Sequence, residues 1–179
     1  MLLRIYLRAM ILAADITDIP QLVKLINSAY RGESSKQGWT SEADLLQGEL
    51  RTDEDTLRQL MNKGIFLKYT YDDVLQACVY LEEQGDKLYL GMLTVEPKLQ
   101  AKGLGKKLLS ASEKYGAIKN CSAIVMNVIS VRHELIEWYE RHGYRRTATT
   151  KPFPADDKFG KPVRPLEFIQ FEKPILNSF

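Results

Sequence analysis

Residues 88–109 read LYLGMLTVEPKLQAKGLGKKLL, and the rest of the chain is organised around them. Leu88-Tyr89-Leu90 and Met92-Leu93-Thr94-Val95 form a β-prone apolar run with Gly91 inside it. A glycine within a strand marks a bulge or a close backbone approach, or simply a small residue in a crowded place. Pro97 ends the run, because proline donates no ladder hydrogen bond and restricts Glu96 before it. Gln100-Ala101-Lys102-Gly103-Leu104-Gly105 follow, and Leu104, Leu108, Leu109, Ala111 and Tyr115 then recur on one helical face. The order is strand, glycine-rich turn, helix start. Such a turn aims several N–H groups and the positive end of a helix dipole at one spot, here beside Lys102, Lys106 and Lys107. That is an anion site, best suited to phosphate.

Two common phosphate motifs fit badly. A dinucleotide fingerprint needs a third glycine three positions after Gly105, where Leu108 stands. A P-loop needs glycine where Gln100 is, and serine or threonine where Lys107 is. The pattern Gln-x-x-Gly-x-Gly after a strand ending in Val-x-Pro is narrower, and it resembles the acetyl-CoA loop of the GNAT family of N-acetyltransferases. A second segment supports the resemblance. Residues 132–144, RHELIEWYERHGY, end in Tyr-x-x-x-Gly-Tyr, so Tyr139, Gly143 and Tyr144 match the helix after the family's fifth strand. Arg132 and Leu135 stand where the family often has asparagine and alanine. The resemblance spans residues 10–173.

What the resemblance implies is an α/β (α+β) fold. Its sheet is mixed, twisted and mostly antiparallel, with about six to seven strands flanked by helices. It is splayed between the fourth and fifth strands, where the pantetheine of acetyl-CoA lies. Main-chain groups of Leu93, Thr94 and Val95 would meet the pantetheine and acetyl carbonyl. Gln100, Ala101, Lys102, Gly103, Leu104, Gly105 and Lys106 would hold the diphosphate, and Arg132 could still reach the cofactor. Tyr139 would be the general acid, since a phenol with a pKa near ~10 stays protonated at neutral pH and can protonate a departing thiolate. For the base the candidates are Glu42 and Glu82 or Glu83, and for the acceptor pocket Tyr30, Trp39 and Phe153. An aromatic, mildly acidic pocket of that kind would suit a small amine or a peptide N-terminus. The expected activity is therefore acetyl transfer from acetyl-CoA to a primary amine. The alternative is a non-catalytic acyl-CoA-binding regulatory module.

Composition narrows the rest. The chain has 179 residues, 45% hydrophobic and 27% charged, as expected of a single domain with a sizeable core. A net charge of +2 gives no reason to expect nucleic acid as a partner. Cys78 and Cys121 sit among apolar neighbours and read as buried thiols, and the scattered histidines and cysteines show no metal-ligand spacing. Residues 1–9 carry Arg4 and Arg8 ahead of an apolar patch at residues 10–14, shorter than the roughly seven to fifteen residues of a signal-peptide core. No stretch approaches the roughly twenty apolar residues of a membrane span. The expectation is a cytoplasmic protein without a membrane partner. Residues 1–9 would be an extension, with translation able to start at Met10, and 10–179 a single domain.

Along the chain, residues 10–14 read as a strand, and Asp15 to Asp18 as helix-capping chemistry before Pro20. Gly32 stops the first helix. Helices are expected from near Ser41 and over residues 53–63. Residues 65–71 and 74–82 form a strand pair turning at Asp72-Asp73. Residues 122–129 read as a strand buried on both faces, parallel to the one at Leu88. Ser130 would cap a helix over 131–142, a strand follows Tyr144, and residues 166–172 return antiparallel. The connector at 151–165 is rich in proline and charge, a candidate for function or for homodimer contacts.

Overall fold

The computed structural model describes residues 9–154, 158 and 160–176. Of the proposed N-terminal extension, residues 1–8 lie outside the described residues, while Ala9 pairs with Tyr71 as the first residue of strand β1 (Ala9–Ala13). Asp15 then builds a capping box with Asp18, and a single 3-10 turn leads into helix α1 (Ile19–Tyr30) with Pro20 in its first turn. Gly32, at φ +70°, starts a one-turn helix α2 (Gly32–Ser35). No helix begins near Ser41. A turn leads instead to β2 (Leu46–Gln47), because the Glu42 backbone N–H is drawn back to the Tyr30 carbonyl at 3.0 Å.

Asp53 caps α3 (Glu54–Met61) by accepting from the Thr56 N–H. The meander β3 (Ile65–Tyr71), β4 (Val74–Gln84) and β5 (Lys87–Val95) follows. Asp72 and Asp73 take φ values of +47° and +63°, the left-handed pair whose twist suits a two-residue hairpin. Helix α4 (Leu104–Ile118) crosses over to β6 (Ala123–Ile129), which lies parallel to β5. Helix α5 (His133–Arg141) comes next. Its N-cap is Arg132 without a side-chain cap, so Ser130 does not cap it. The chain closes with β7 (Arg145–Pro152), β8 (Lys161–Pro162) and β9 (Glu167–Pro174).

The main sheet has seven strands in the order β1-β3-β4-β5-β6-β9-β7, and β5–β6 is its only parallel pair among the described residues. β9 inserts between β6 and β7, so the centre of the sheet needs doubly apolar strands. The connector is not all coil, since β8 pairs with β2 in a two-stranded ribbon that sequence reading missed. Both faces of the sheet are covered. Phe66, Cys78 and Tyr80 meet α1 and α3 on one face. Their neighbours Leu67, Val79 and Leu81 meet α4 and α5 on the other. This is the period-two alternation of a strand buried twice.

Candidate active site

The site begins with a register error in β5. Cys78 pairs with Thr94 and Tyr80 with Gly91, so one residue of β4 faces two of β5. The extra residue is a bulge, and Met92 carries it at φ +48°. Gly91 is its neighbour, packed against the Tyr89 ring, rather than the left-handed residue itself. The bulge also reverses the alternation of β5. Leu88 and Leu90 face α4 and α5 before it, and Leu93 and Val95 after it. β5 and β6 consequently pair only over Lys87–Tyr89 and Ala123–Val125, then part, while β6 keeps its pairing with β9 as far as Ile129. The expected splay is present.

Two cavities open where the strands part. The larger, about 480 Å³, runs from the Gln100–Lys106 loop to Tyr139 beneath Trp39 and Trp138. The smaller, about 140 Å³, is bordered by Glu42, Arg51, Tyr89, Asn127, Arg132 and Phe168. Tyr30, Leu93, Leu135 and Tyr139 border both, so Tyr139 and Tyr30 stand at their junction.

At the far end of the larger cavity, Ala101 and Gly103 take left-handed φ values of +62° and +83°. The first bond of α4 runs from the Lys107 N–H to the Gly103 carbonyl at 3.1 Å. The N–H groups of Leu104, Gly105 and Lys106 therefore stand ahead of the helix ladder, at the positive end of its dipole. A β-carbon on Gly103 would meet nothing within 4 Å, whereas one on Gly105 would come within 3.2 Å of the Trp138 ring. Gly103 thus serves backbone conformation, and Gly105 lets α5 approach α4 closely.

Gln100 holds this end together. Its Oε1 accepts from the Trp39 N–H at 2.8 Å, and its Nε2 donates to Thr40 Oγ1 at 2.8 Å and to the Val95 carbonyl at 3.1 Å. One amide ties the α2–β2 loop to the end of β5. Trp39 and Trp138 then pack with ring centroids 6.1 Å apart, closing a roof over the cavity.

Burial holds the Tyr139 phenol well above its usual pKa, reinforced by the phenols of Tyr30 and Tyr144 and opposed by the Arg132 guanidinium. Burial likewise pushes Tyr30 up to about 12, and its hydroxyl donates to the Leu93 carbonyl at 2.6 Å. Both phenols are proton donors across the neutral range. The Leu93 carbonyl, expected to face the pantetheine, is thus engaged by Tyr30.

Other expected site residues are dispersed. Leu93 and Val95 border the larger cavity, but Thr94 is buried and its hydroxyl donates to the Met92 carbonyl. Lys102 is exposed beside the loop, while Lys106 borders the cavity. Arg132 borders the smaller cavity, with Nη2 donating to the Trp39 carbonyl at 3.3 Å. Glu42 also borders it, but its carboxylate pairs with buried Arg31 and lies 3.8 Å from Arg51. The pocket is therefore not mildly acidic: the carboxylate is neutralised and guanidinium groups prevail. Glu82 borders neither cavity, and its carboxylate accepts from Tyr80 and Gln84. Phe153 packs on Phe168, behind the cavity wall.

Sequence reasoning passed over Trp138, Arg51 and Asn127. Only Asn127 left a signal, as the lone polar residue inside the apolar strand β6.

The Acetyltransferase (GNAT) family model matches residues 22–144, more than half of the chain. The chain belongs to the GNAT family. The match takes in α1 from Leu22 onward, the bulged strand, the loop and Tyr139 up to Tyr144. Solved GNAT-type structures share the fold. The ribosomal-protein-S18-alanine N-acetyltransferase of Escherichia coli aligns with a TM-score of 0.69 at 18% identity, covering 96% of each chain. The PaiA N-acetyltransferase of Thermoplasma acidophilum, solved with coenzyme A, gives 0.67 at 18% identity over 93% of this chain and 98% of its own. The yncA protein of Salmonella typhimurium, solved with acetyl-CoA, gives 0.66 at 18% identity over 96% of each chain. A search of curated proteins finds no match. Among the described residues there is no cluster of metal-ligating side chains, and no helix is long and apolar enough to cross a membrane.

Proposed function

We propose that this GNAT protein transfers the acetyl group of acetyl-CoA to the nitrogen of a primary amine by direct attack. One observation carries the reading: the cavity at the α4 helix start and a second, polar cavity meet at the protonated phenols of Tyr139 and Tyr30, of which only the Tyr30 hydroxyl is engaged by a protein carbonyl. The residues fit acetyl-CoA. The α4 N–H groups and Lys106 suit its diphosphate, and the gap between β5 and β6 suits an extended pantetheine arm. The complexes of PaiA with coenzyme A and of yncA with acetyl-CoA support the assignment by fold.

Bound acetyl-CoA supplies an activated thioester. The chain's own residues do the remainder. Tyr139 donates its proton to the departing sulfur as the C–N bond forms and the C–S bond breaks, and the surplus proton on nitrogen passes to water, from which the Tyr139 phenolate recovers one. The cavity guanidinium groups disfavour a cationic amine and so favour the neutral, nucleophilic form. Glu42, tied to Arg31, positions the wall rather than accepting a proton. Residues 10–179 act as one domain, which Ala9 joins through its pairing with Tyr71.

Two measurements test this. Acetyl-CoA should raise the melting temperature more than ATP or NAD does, since a ligand that binds only the native state stabilises it. Free CoA thiol should then appear only when an amine is present. A melting temperature indifferent to acetyl-CoA rejects the cosubstrate. Binding without thiol release across an amine panel returns the protein to the acyl-CoA-binding alternative.

A further inference from the structure

Two residues that border the smaller cavity each carry a buried polar atom that the protein leaves unanswered. Arg132 Nη1 and Asn127 Oδ1 are both buried, neither has a hydrogen-bond partner among the described residues, and both residues border this cavity. Buried polar atoms are paired in the great majority of cases, so each exception asks for an explanation. One of these is a cationic donor and the other a neutral acceptor. They come from different elements, Arg132 from the start of α5 and Asn127 from the middle of β6.

The charge of the cavity points the same way. Glu42 is shared between Arg31 and Arg51, so the one carboxylate is outnumbered and Arg132 borders the space without an ion-pair partner among the described residues. Arg132 also lies close enough to Tyr30 and Tyr139 to act on both phenols. An anionic group bound to it would sit beside the reacting junction. A guanidinium fork matches a carboxylate in geometry as well as in charge. The volume of about 140 Å³ is several times the ~30 Å³ share of a single water, yet below the roughly 300 Å³ at which drug-sized pockets begin.

Resting on the acetyltransferase reading, we infer that the acceptor is a small free α-amino acid, its carboxylate held by Arg132 and its amino group donating to Asn127 Oδ1 at the Tyr139 junction. The two unpaired atoms are then satisfied by one molecule. A polyamine, which offers only cations, meets two guanidinium groups and no free carboxylate.

The test compares alanine, serine and glycine with their carboxamides, with ethanolamine, and with spermidine, reading CoA thiol release by the full chain at fixed acetyl-CoA. The free acids should exceed their carboxamides by about 10- to 100-fold in kcat/KM, the size of one charge-assisted hydrogen bond. Arg132→Met should reduce that ratio to within about threefold, with Arg132→Lys recovering part of it, because the lost term is the ionic one. Asn127→Ala should lower turnover of acids and amides alike. An unchanged acetyl-CoA melting shift checks that each variant is folded. Carboxamides or spermidine used as well as the acids by the wild-type protein overturns the acceptor class and leaves the acetyltransferase reading standing. A missing acetyl-CoA shift in the wild-type protein overturns that reading itself.

Discussion

Tyr139 and its neighbours show how surroundings set the protonation of a single side chain. The phenol is buried and raised in pKa, and Tyr139 borders both cavities. Tyr139→Phe removes only the oxygen, so the ring contacts with Trp138 and Tyr144 survive. Turnover should fall by about 100-fold, the lower end of general-acid contributions, with the acetyl-CoA melting shift preserved. Wild-type turnover in that variant would remove Tyr139 from the chemistry. The pH profile gives an independent check. A general acid works in its protonated form, and a raised pKa extends that form to higher pH. kcat should therefore climb with pH as the acceptor amine loses its proton, and show no falling limb up to about pH 10, where an ordinary phenol would ionise. A decline setting in near pH 8 would contradict the assignment.

At the scale of elements, the site is made by what β5 does between Gly91 and Thr94. The bulge at Met92 turns Leu93 and Val95 toward the larger cavity, and Gln100 then fastens the strand end to the Trp39 loop through its three hydrogen bonds. Each such bond contributes on the order of 1 kcal/mol net. Gln100→Ala should lower stability by roughly 2 kcal/mol, taking partial replacement by water into account, and raise the KM for acetyl-CoA more than it lowers kcat. Chemical denaturation and steady-state kinetics report the two effects separately. An unaltered KM would mean that the roof closes without the staple. Gln100 could be singled out from sequence as part of a loop motif, but its side chain turns out to organise protein, with partners sixty or more positions earlier in the chain.

Across the described residues, five phenols are raised by burial: Tyr30, Tyr80, Tyr89, Tyr139 and Tyr144. In the unfolded chain each ionises near ~10, so above that pH the unfolded state releases protons that the native state retains. The stability associated with these groups is complete below pH ~10 and is lost as pH rises through their higher native values. The melting temperature should stay level with respect to these groups up to about pH 9.5 and then drop steeply. Phenolate absorbance should appear for these tyrosines only together with unfolding. Ionisation of every tyrosine near pH 10 in a still-folded protein would refute the burial described.

The sequence by itself determined the order of the main-sheet strands, the hairpin at Asp72-Asp73, the glycine-rich turn before α4, the family and the location of the Tyr139 helix. These depend on neighbours within a few residues: period-two and helical apolar spacing, left-handed turn positions, and a glycine pattern at a helix start. Only the tertiary structure decided which residue carries the bulge, that Glu42 is neutralised by Arg31, that Glu82 borders neither cavity, and that Arg132 borders the smaller one. It also decided that β8 returns to pair with β2. Each of these turns on a long-range pairing, a strand register or an ion pair, whose partner is chosen by packing and cannot be read from adjacent residues. The stretch at 88–109 shows both kinds of determination: its glycines announce a turn at a helix start, and the one-residue mismatch with β4 opens the sheet beside it.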